Sequence, residues 1–194
     1  MRVLQSWLKY LGIIFPIIAY GAIFVAIANA PWFSWYENAL SDLGAYEKTE
    51  LIFNGGLILA GLVYLIYSLG LFSYLTRPLG KIGALILMFD AISLLLVGAF
   101  PETVGTLHGV SAVLYFILFP IAYLPLGTYF IRNENNPNFG VLGYICSVVG
   151  LGIWFLPWKT LGVPGIAIPE FLVSLANTIY IVVISLKLGS LKRQ

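Results

Sequence analysis

Long apolar runs, separated by short polar or proline-rich stretches, dominate the pattern of this chain. Each run holds about 20 residues, the length that an α-helix needs to cross a hydrocarbon core of roughly 30 Å. Pro31 and Pro101 directly follow the first and third runs, where a proline is expected to end a helix. The pattern predicts an all-α, polytopic membrane protein, a six-transmembrane-helix bundle with helices at 8–29, 51–75, 80–100, 106–131, 139–157 and 166–187.

The longest connection, residues 31–50, is predicted to contain a short interfacial helix. Ser34 and Glu37 have the spacing of a capping box, in which each side chain bonds the backbone N–H of the other residue. Gly44 is suited to the end of such a helix, because glycine readily adopts the left-handed conformation found there.

Composition supports the membrane assignment. The chain is 60% hydrophobic and 9% charged, whereas a soluble domain carries about 25% charged residues. Six spans leave little of the 194 residues for anything else, so residues 1–194 are expected to form a single membrane domain. The lone cysteine, Cys146, excludes an intramolecular disulfide and a Cys-x-x-Cys site.

The distribution of basic residues predicts the orientation. One side of the predicted bundle holds eight cations and the other holds two, which by the positive-inside rule places both the N- and C-termini in the cytoplasm of a multi-pass plasma-membrane protein. No long basic run is present, so no nucleic acid partner is expected. The eight are Arg2, Lys9, Arg77, Lys81, Arg132, Lys187, Lys192 and Arg193, and the two are Lys48 and Lys159.

Asp90 is the most unusual residue of the pattern, because it lies near the middle of the third predicted helix. An ionised acid at that depth costs about 2.5–3.5 kcal/mol on insertion scales. Asp90 therefore indicates a proton relay, an ion site or a catalytic acid. The alternative is a protonated acid that only hydrogen-bonds a neighbouring helix.

Polar residues also recur on one face of three predicted helices, starting from the non-cytoplasmic side. Their i, i+3, i+4 and i+7 spacings bring the members of each set together, and with Asp90 they could line one outward-facing polar cavity. The alternative is ordinary interhelical hydrogen bonding. The sets are Glu50 and Asn54; His108, Ser111 and Tyr115; and Glu170, Ser174 and Asn177.

His108 is the single histidine of the chain, which excludes a haem held by two histidines. A histidine with two or three carboxylates can bind zinc, iron or manganese, and Asp42, Glu102 and Glu170 are the candidate acids. Ser41, Asp42 and His108 also supply the residue types of nucleophilic hydrolysis, although no Gly-x-Ser-x-Gly turn is present. The metal content and the cofactors therefore stay open.

Four short motifs resemble those of domain-of-unknown-function family 998, whose members are bacterial and archaeal membrane proteins with about six helices. The motifs are Ser41 to Gly44, Phe53-Asn54, Phe100-Pro101 and His108. The resemblance implies the six-helix fold over most of the chain and carries no assigned activity. Glu102 stands where the family pattern favours an aspartate.

Three functions remain open at this stage. The first is binding or transport of a small polar solute or a lipid headgroup, with ligand-binding residues Asp42, Asn54, Asp90, His108, Glu170 and Asn177. The second is an intramembrane metal-dependent hydrolase that acts on lipid. The third is an accessory subunit of a membrane complex with unknown protein partners, docked through Trp32, Trp35 and Tyr36.

Overall fold

Six α-helices account for most of residues 2–188, the part of the chain that this computed structural model describes. No strand occurs in this part. Each helix, with α5 extended by its last turn, is long and apolar enough to cross a membrane. The helices are α1 (Arg2–Ala28), α2 (Glu50–Tyr74), α3 (Pro78–Ala99), α4 (Thr106–Arg132), α5 (Pro137–Gly152) and α6 (Ala167–Leu188).

The observed helix ends lie close to the predicted ones, with two exceptions, the first being that α1 begins at Arg2 rather than at residue 8. The fifth helix was predicted to continue to residue 157, but α5 ends at Gly152 and continues only as a 3₁₀ turn, Ile153–Phe155. Leu156 is extended, with ψ of 146°, because a residue before proline disfavours the helical conformation and Pro157 follows. Two cations used in the orientation argument, Lys192 and Arg193, lie outside the described residues.

The short helix of the first connection is confined to four residues, Ser41–Gly44, in 3₁₀ form. The predicted capping box at Ser34 does not form. Instead the Ser34 Oγ accepts the N–H of Tyr36 at 3.3 Å, and Asn38 Oδ1 accepts the N–H of Ser34 at 2.9 Å. Local side-chain bonds of this kind stabilise turns in competition with helix, so the segment before Ser41 folds as turns.

Packing follows the order of the helices along the chain. Each of α1 to α5 packs against the next, and α6 packs against both α1 and α5, whereas α6 touches α4 only slightly. Tyrosine side chains fill much of the interior, and Tyr64, Tyr67, Tyr123 and Tyr180 are fully buried. The weak α4–α6 contact leaves room for the cavities described below.

The closest approach between α2 and α3 depends on glycine. A Cβ atom at Gly61 would lie 2.7 Å from the backbone nitrogen of Leu95, and one at Gly98 would lie 2.6 Å from the backbone oxygen of Asn54. Small residues allow membrane helices to pack at such short range. Gly55, also on α2, would place its Cβ in open space.

We expect Gly61→Ala to destabilise the bundle while Gly55→Ala does not. The added methyl group at position 61 meets the α3 backbone, and overpacking of this kind costs about 1–3 kcal/mol. At position 55 the only effect is the higher helix propensity of alanine, up to about 1 kcal/mol in favour. Thermal unfolding of the two variants in detergent measures the difference, and equal melting temperatures would contradict the proposed close contact.

Candidate functional site

One end of the bundle gathers most of the acidic side chains. There α1, α3 and α5 end and α2, α4 and α6 begin, so the 3₁₀ turns Ser41–Gly44 and Glu102–Val104 lie beside the first turn of α6. We call this end, which carries Asp42, Glu102 and Glu170, the acidic end. A helix N-terminus favours a negative side chain, as at Glu170 in the first turn of α6.

Glu170 ties the first connection to α6. Its Oε2 accepts the backbone N–H of Leu40 at 2.7 Å, and the side chain is only 7% exposed. The backbone oxygen of Asn38 accepts the N–H groups of Ile166 at 3.1 Å and Ala167 at 2.8 Å. Residues 38–40 are therefore held across the start of α6, where they cover the interior of the bundle.

Asp42 holds the turn in which it lies. Its Oδ2 accepts the side-chain amide of Asn38 at 2.8 Å and the N–H of Ala39 at 3.0 Å. The predicted cavity residue Asn54 has a similar role, because its Nδ2 donates to the backbone oxygen of Gly44 at 2.9 Å. Both side chains thus fix the backbone of the first connection.

Glu102 lies next to Asp42 and Ser41, although it starts from a different connection. Partial burial and then the neighbouring Asp42 carboxyl raise the pKa of Glu102, while Ser41 and His108 act in the opposite direction. The Asp42 carboxyl acts in this way because a second negative charge at short range disfavours the ionised form of Glu102.

His108 has a fixed ring orientation. Its Nδ1 lies 2.8 Å from the backbone oxygen of Phe100, at the end of α3. A carbonyl oxygen can only accept, so Nδ1 carries the hydrogen and Nε2 of the neutral ring is left as the acceptor. The ring lines both of the cavities described next.

Two adjoining cavities open at the acidic end. The inner cavity, of about 70 Å³, lies between α1, α2, α3, α4 and α6, and its polar wall includes Tyr20, Tyr115 and Thr178. The second is a groove of about 500 Å³ between α4 and the α5–α6 region. The two cavities share Ser41, His108, Ala112, Phe116 and Glu170.

The groove is apolar along most of its length and opens sideways. Glu102 joins the shared polar residues at its top, and aliphatic or aromatic side chains form the rest of its walls. Several of these are exposed on the outside of the bundle, up to 85% for Phe155. On membrane-spanning segments such positions face lipid, and the exposed wall residues there are Val113, Ile117, Leu151 and Phe155.

The cavities include some of the residues predicted for a ligand site. His108 and Glu170 line both cavities, whereas Asp42 and Asn54 lie in the connection above them. Asp90 and Asn177 are fully buried, outside the linings of both cavities. Ligand binding by these six residues stays a prediction.

The predicted metal ligands do not form a metal-binding group. Among the described residues, no three His, Cys, Asp or Glu side chains are grouped so that they could hold a metal ion. The physical reason is that these groups bond the protein itself: Asp42 and Glu170 accept backbone N–H groups, and His108 bonds a backbone carbonyl. The geometry therefore does not support the metal site proposed for His108, Asp42, Glu102 and Glu170.

The model of a protein family of unknown function, DUF998, matches residues 13–187. The chain belongs to this family. The match confirms the resemblance drawn from the short motifs. No curated protein and no solved structure matches the DUF998 chain.

Sequence patterns did not single out Tyr20, a further polar residue of the inner cavity of this DUF998 protein. Its hydroxyl lies 3.1 Å from both Ser174 Oγ and Thr178 Oγ1, which joins α1 to α6. Tyr20 lies within the apolar run of α1 and has no polar neighbour three or four residues away on the same helix face. The sequence pattern therefore did not point to it. Of the aromatic residues predicted for a docking surface, Trp32 and Tyr36 are exposed and Trp35 packs edge-on against Phe171 at 5.4 Å, and docking through them stays a prediction.

We expect Glu170→Leu to loosen the first connection of the DUF998 chain, whereas Glu170→Gln does not. Leucine leaves the buried N–H of Leu40 without an acceptor, which costs about 1–3 kcal/mol, while glutamine keeps an oxygen at that position. Hydrogen exchange followed by mass spectrometry reports the amides of residues 38–43 directly. Unchanged exchange in Glu170→Leu would show that other contacts hold the connection.

Proposed function

We propose that this protein binds an amphipathic lipid, with the acyl chain in the groove and the headgroup at the acidic end. The proposal rests on the shape of the groove, which is apolar, opens sideways and has a single polar end. That end is formed by Ser41, Glu102, His108 and Glu170. A volume of about 500 Å³ falls within the roughly 300–1,000 Å³ of ligand pockets.

The length of the groove matches one leaflet of a bilayer. Its α4 wall runs from His108 to Ile117, which at 1.5 Å per residue is roughly 14 Å along the helix. The hydrocarbon core of a bilayer is about 30 Å thick, so this wall covers about half of it. A lipid standing in one leaflet would bring its headgroup to the level of His108.

The charges at the acidic end favour a particular headgroup. None of the described residues that line the groove or the inner cavity is a lysine or an arginine. Glu102 and Glu170 line the groove, and Asp42 lies beside Glu102. A bare phosphate would be repelled there, whereas an amine or a hydroxyl would donate to the carboxylates.

The apolar walls favour a lipid over a small polar solute. A solute without an apolar part would leave Phe116, Trp154 and the aliphatic wall in contact with water, which is unfavourable for apolar surface. With both termini in the cytoplasm, as the basic residues predict, the groove faces the outer leaflet of the plasma membrane. Lipid would then enter laterally, between α4 and the α5–α6 region.

We expect Ala112→Trp to reduce the amount of lipid bound to the purified protein by about tenfold or more, the effect of roughly 1.4 kcal/mol. Ala112 lines both cavities, so an indole there occupies the space of the acyl chain. Val110, also on α4, is 53% exposed and lines neither cavity, so Val110→Trp is the matched control. The measurement is mass spectrometry of lipids extracted from each variant after purification in detergent.

Equal lipid retention in wild type and Ala112→Trp would refute binding in the groove. Equal loss from both tryptophan variants would show that the lipid is held on the outer surface of α4 in general. Retention of lipids with anionic, amine-free headgroups would contradict the proposed headgroup preference.

One observation favours a second candidate, hydrolysis of the bound lipid. His108 is oriented with Nε2 as an acceptor, the arrangement of a general base. Ser41 lines both cavities and interacts with the Glu102 carboxyl. A serine, a histidine and an acid thus lie at the polar end of the groove.

Product analysis separates hydrolysis from binding alone. If the protein is a hydrolase, proteoliposomes should release a fatty acid or a headgroup product, and His108→Ala should reduce the rate by about 10²–10⁴-fold while lipid stays bound. If it is a binding protein, the wild type should release no product above that of empty liposomes. His108→Gln is the matched control for the size of the side chain.

A further inference from the structure

A second polar site lies deeper in the bundle, around Asp90. Asp90 is fully buried on α3, in the central part of a membrane-spanning helix. Within residues 2–188, neither of its two carboxyl oxygens has a hydrogen-bond partner. A buried acid without hydrogen-bond partners is costly. Protein hydrogen bonds alone therefore do not explain why a carboxyl lies at this position.

Polar groups from three helices surround the carboxyl. The hydroxyl of Tyr64 on α2, the side-chain amide of Asn177 on α6 and the backbone of Phe119 on α4 all lie beside Asp90. The Tyr123 hydroxyl donates to the backbone oxygen of Asn177 at 3.0 Å and also to its Oδ1. Because that oxygen is engaged, the Asn177 Nδ2 is the amide atom left for the carboxyl.

The nearby unpartnered atoms are a mixture of donors and acceptors. The hydroxyl of Tyr64 and the Nδ2 of Asn177 are buried and have no partner among the described residues, like the Asp90 oxygens beside them. Each such group costs about as much as a lost hydrogen bond.

The surroundings favour a proton over a metal cation. Asn177 presents N–H donors and Phe119 its backbone near the carboxyl, and N–H donors repel a cation. The titratable groups that face Asp90 in the described part of the chain are Tyr64 on α2 and Tyr115 and Tyr123 on α4. None of these is cationic, and α6 contributes the uncharged Asn177.

Tyr115 connects this cluster to the inner cavity. Its ring lines the cavity, and its hydroxyl lies beside the side chain of Asn177. Tyr115 also faces Asp90 itself, so the order from the acidic end is the cavity, Tyr115 and Asp90, with Asn177 beside both. We propose that Asp90 is a reversible proton-binding site that exchanges protons with the inner cavity through Tyr115.

The proton exchange between Asp90 and the inner cavity needs no further reactant. A hydronium ion in the cavity gives its proton to an Asp90 carboxylate oxygen and becomes water, and the reverse step returns the proton. The Tyr115 hydroxyl can relay it, because a hydroxyl both donates and accepts. The Tyr64 hydroxyl and the Asn177 amide can donate to the ionised carboxylate, and the neutral acid can donate its proton to a hydroxyl oxygen.

Isotope-edited infrared spectroscopy tests this site directly. The chain contains two aspartates, Asp42 and Asp90, so a protein with labelled aspartate and Asp42→Asn carries the label at Asp90 alone. We expect a labelled carbonyl band of the neutral acid that weakens as the pH rises and shifts in D₂O. We expect Tyr115→Phe to slow the D₂O shift by about tenfold, the effect of losing one relay hydrogen bond.

Tyr20→Phe is the matched control, because Tyr20 also lines the inner cavity but bonds Ser174 and Thr178. It should leave the D₂O shift unchanged. A band that does not shift in D₂O, or that is constant with pH, would show a sealed structural acid and overturn the proposal. A band that responds to sodium or potassium at fixed pH would assign a cation instead, and this would overturn it as well.

Discussion

The hydrogen bonds from the Tyr123 hydroxyl to Asn177 join α4 to α6 near the middle of the bundle, and both candidate sites depend on this junction. The rings of Tyr123 and Tyr180 reinforce it at 4.3 Å. Elsewhere α4 and α6 scarcely touch, so the inner cavity and the groove lie between the junction and the acidic end. The same bond orients the amide of Asn177 towards Asp90. One contact thus joins α4 to α6 beneath the inner cavity and the groove and also orients one side of the buried acid.

At the acidic end, most of the polar side chains that could meet a ligand already hydrogen-bond the protein backbone. Buried backbone groups are nearly always hydrogen-bonded, and Asp42, Asn54 and Glu170 each bond backbone atoms of the first connection. Fewer groups are therefore available to bind a ligand than the number of acidic side chains suggests. They are chiefly Glu102, the free ring nitrogen of His108 and the second carboxyl oxygen of Glu170. This set suits recognition of a hydrogen-bond donor better than coordination of a metal.

Much of the fold could be predicted from the sequence, because span length and proline positions are local properties. The six helices and the family follow from such features, and the early end of α5 reflects the rule for a residue before proline at Leu156. The burial of Asp90 also follows from its place within an apolar run. Asp42 and Glu102 were candidates for one site by residue type, but their direct contact does not follow from spacing, because they come from different connections that meet only after packing. The groove depends likewise on how far α4 lies from α6, which no periodicity encodes.

The most direct test of lipid binding in the groove is cryo-electron microscopy of the protein in nanodiscs made with lipids from its native membrane. We expect an elongated density in the groove alongside α4 from His108 to Ile117, with its broad end between Glu102 and Glu170. A groove closed by its own side chains, or filled by a density whose broad end points away from these acids, would contradict it.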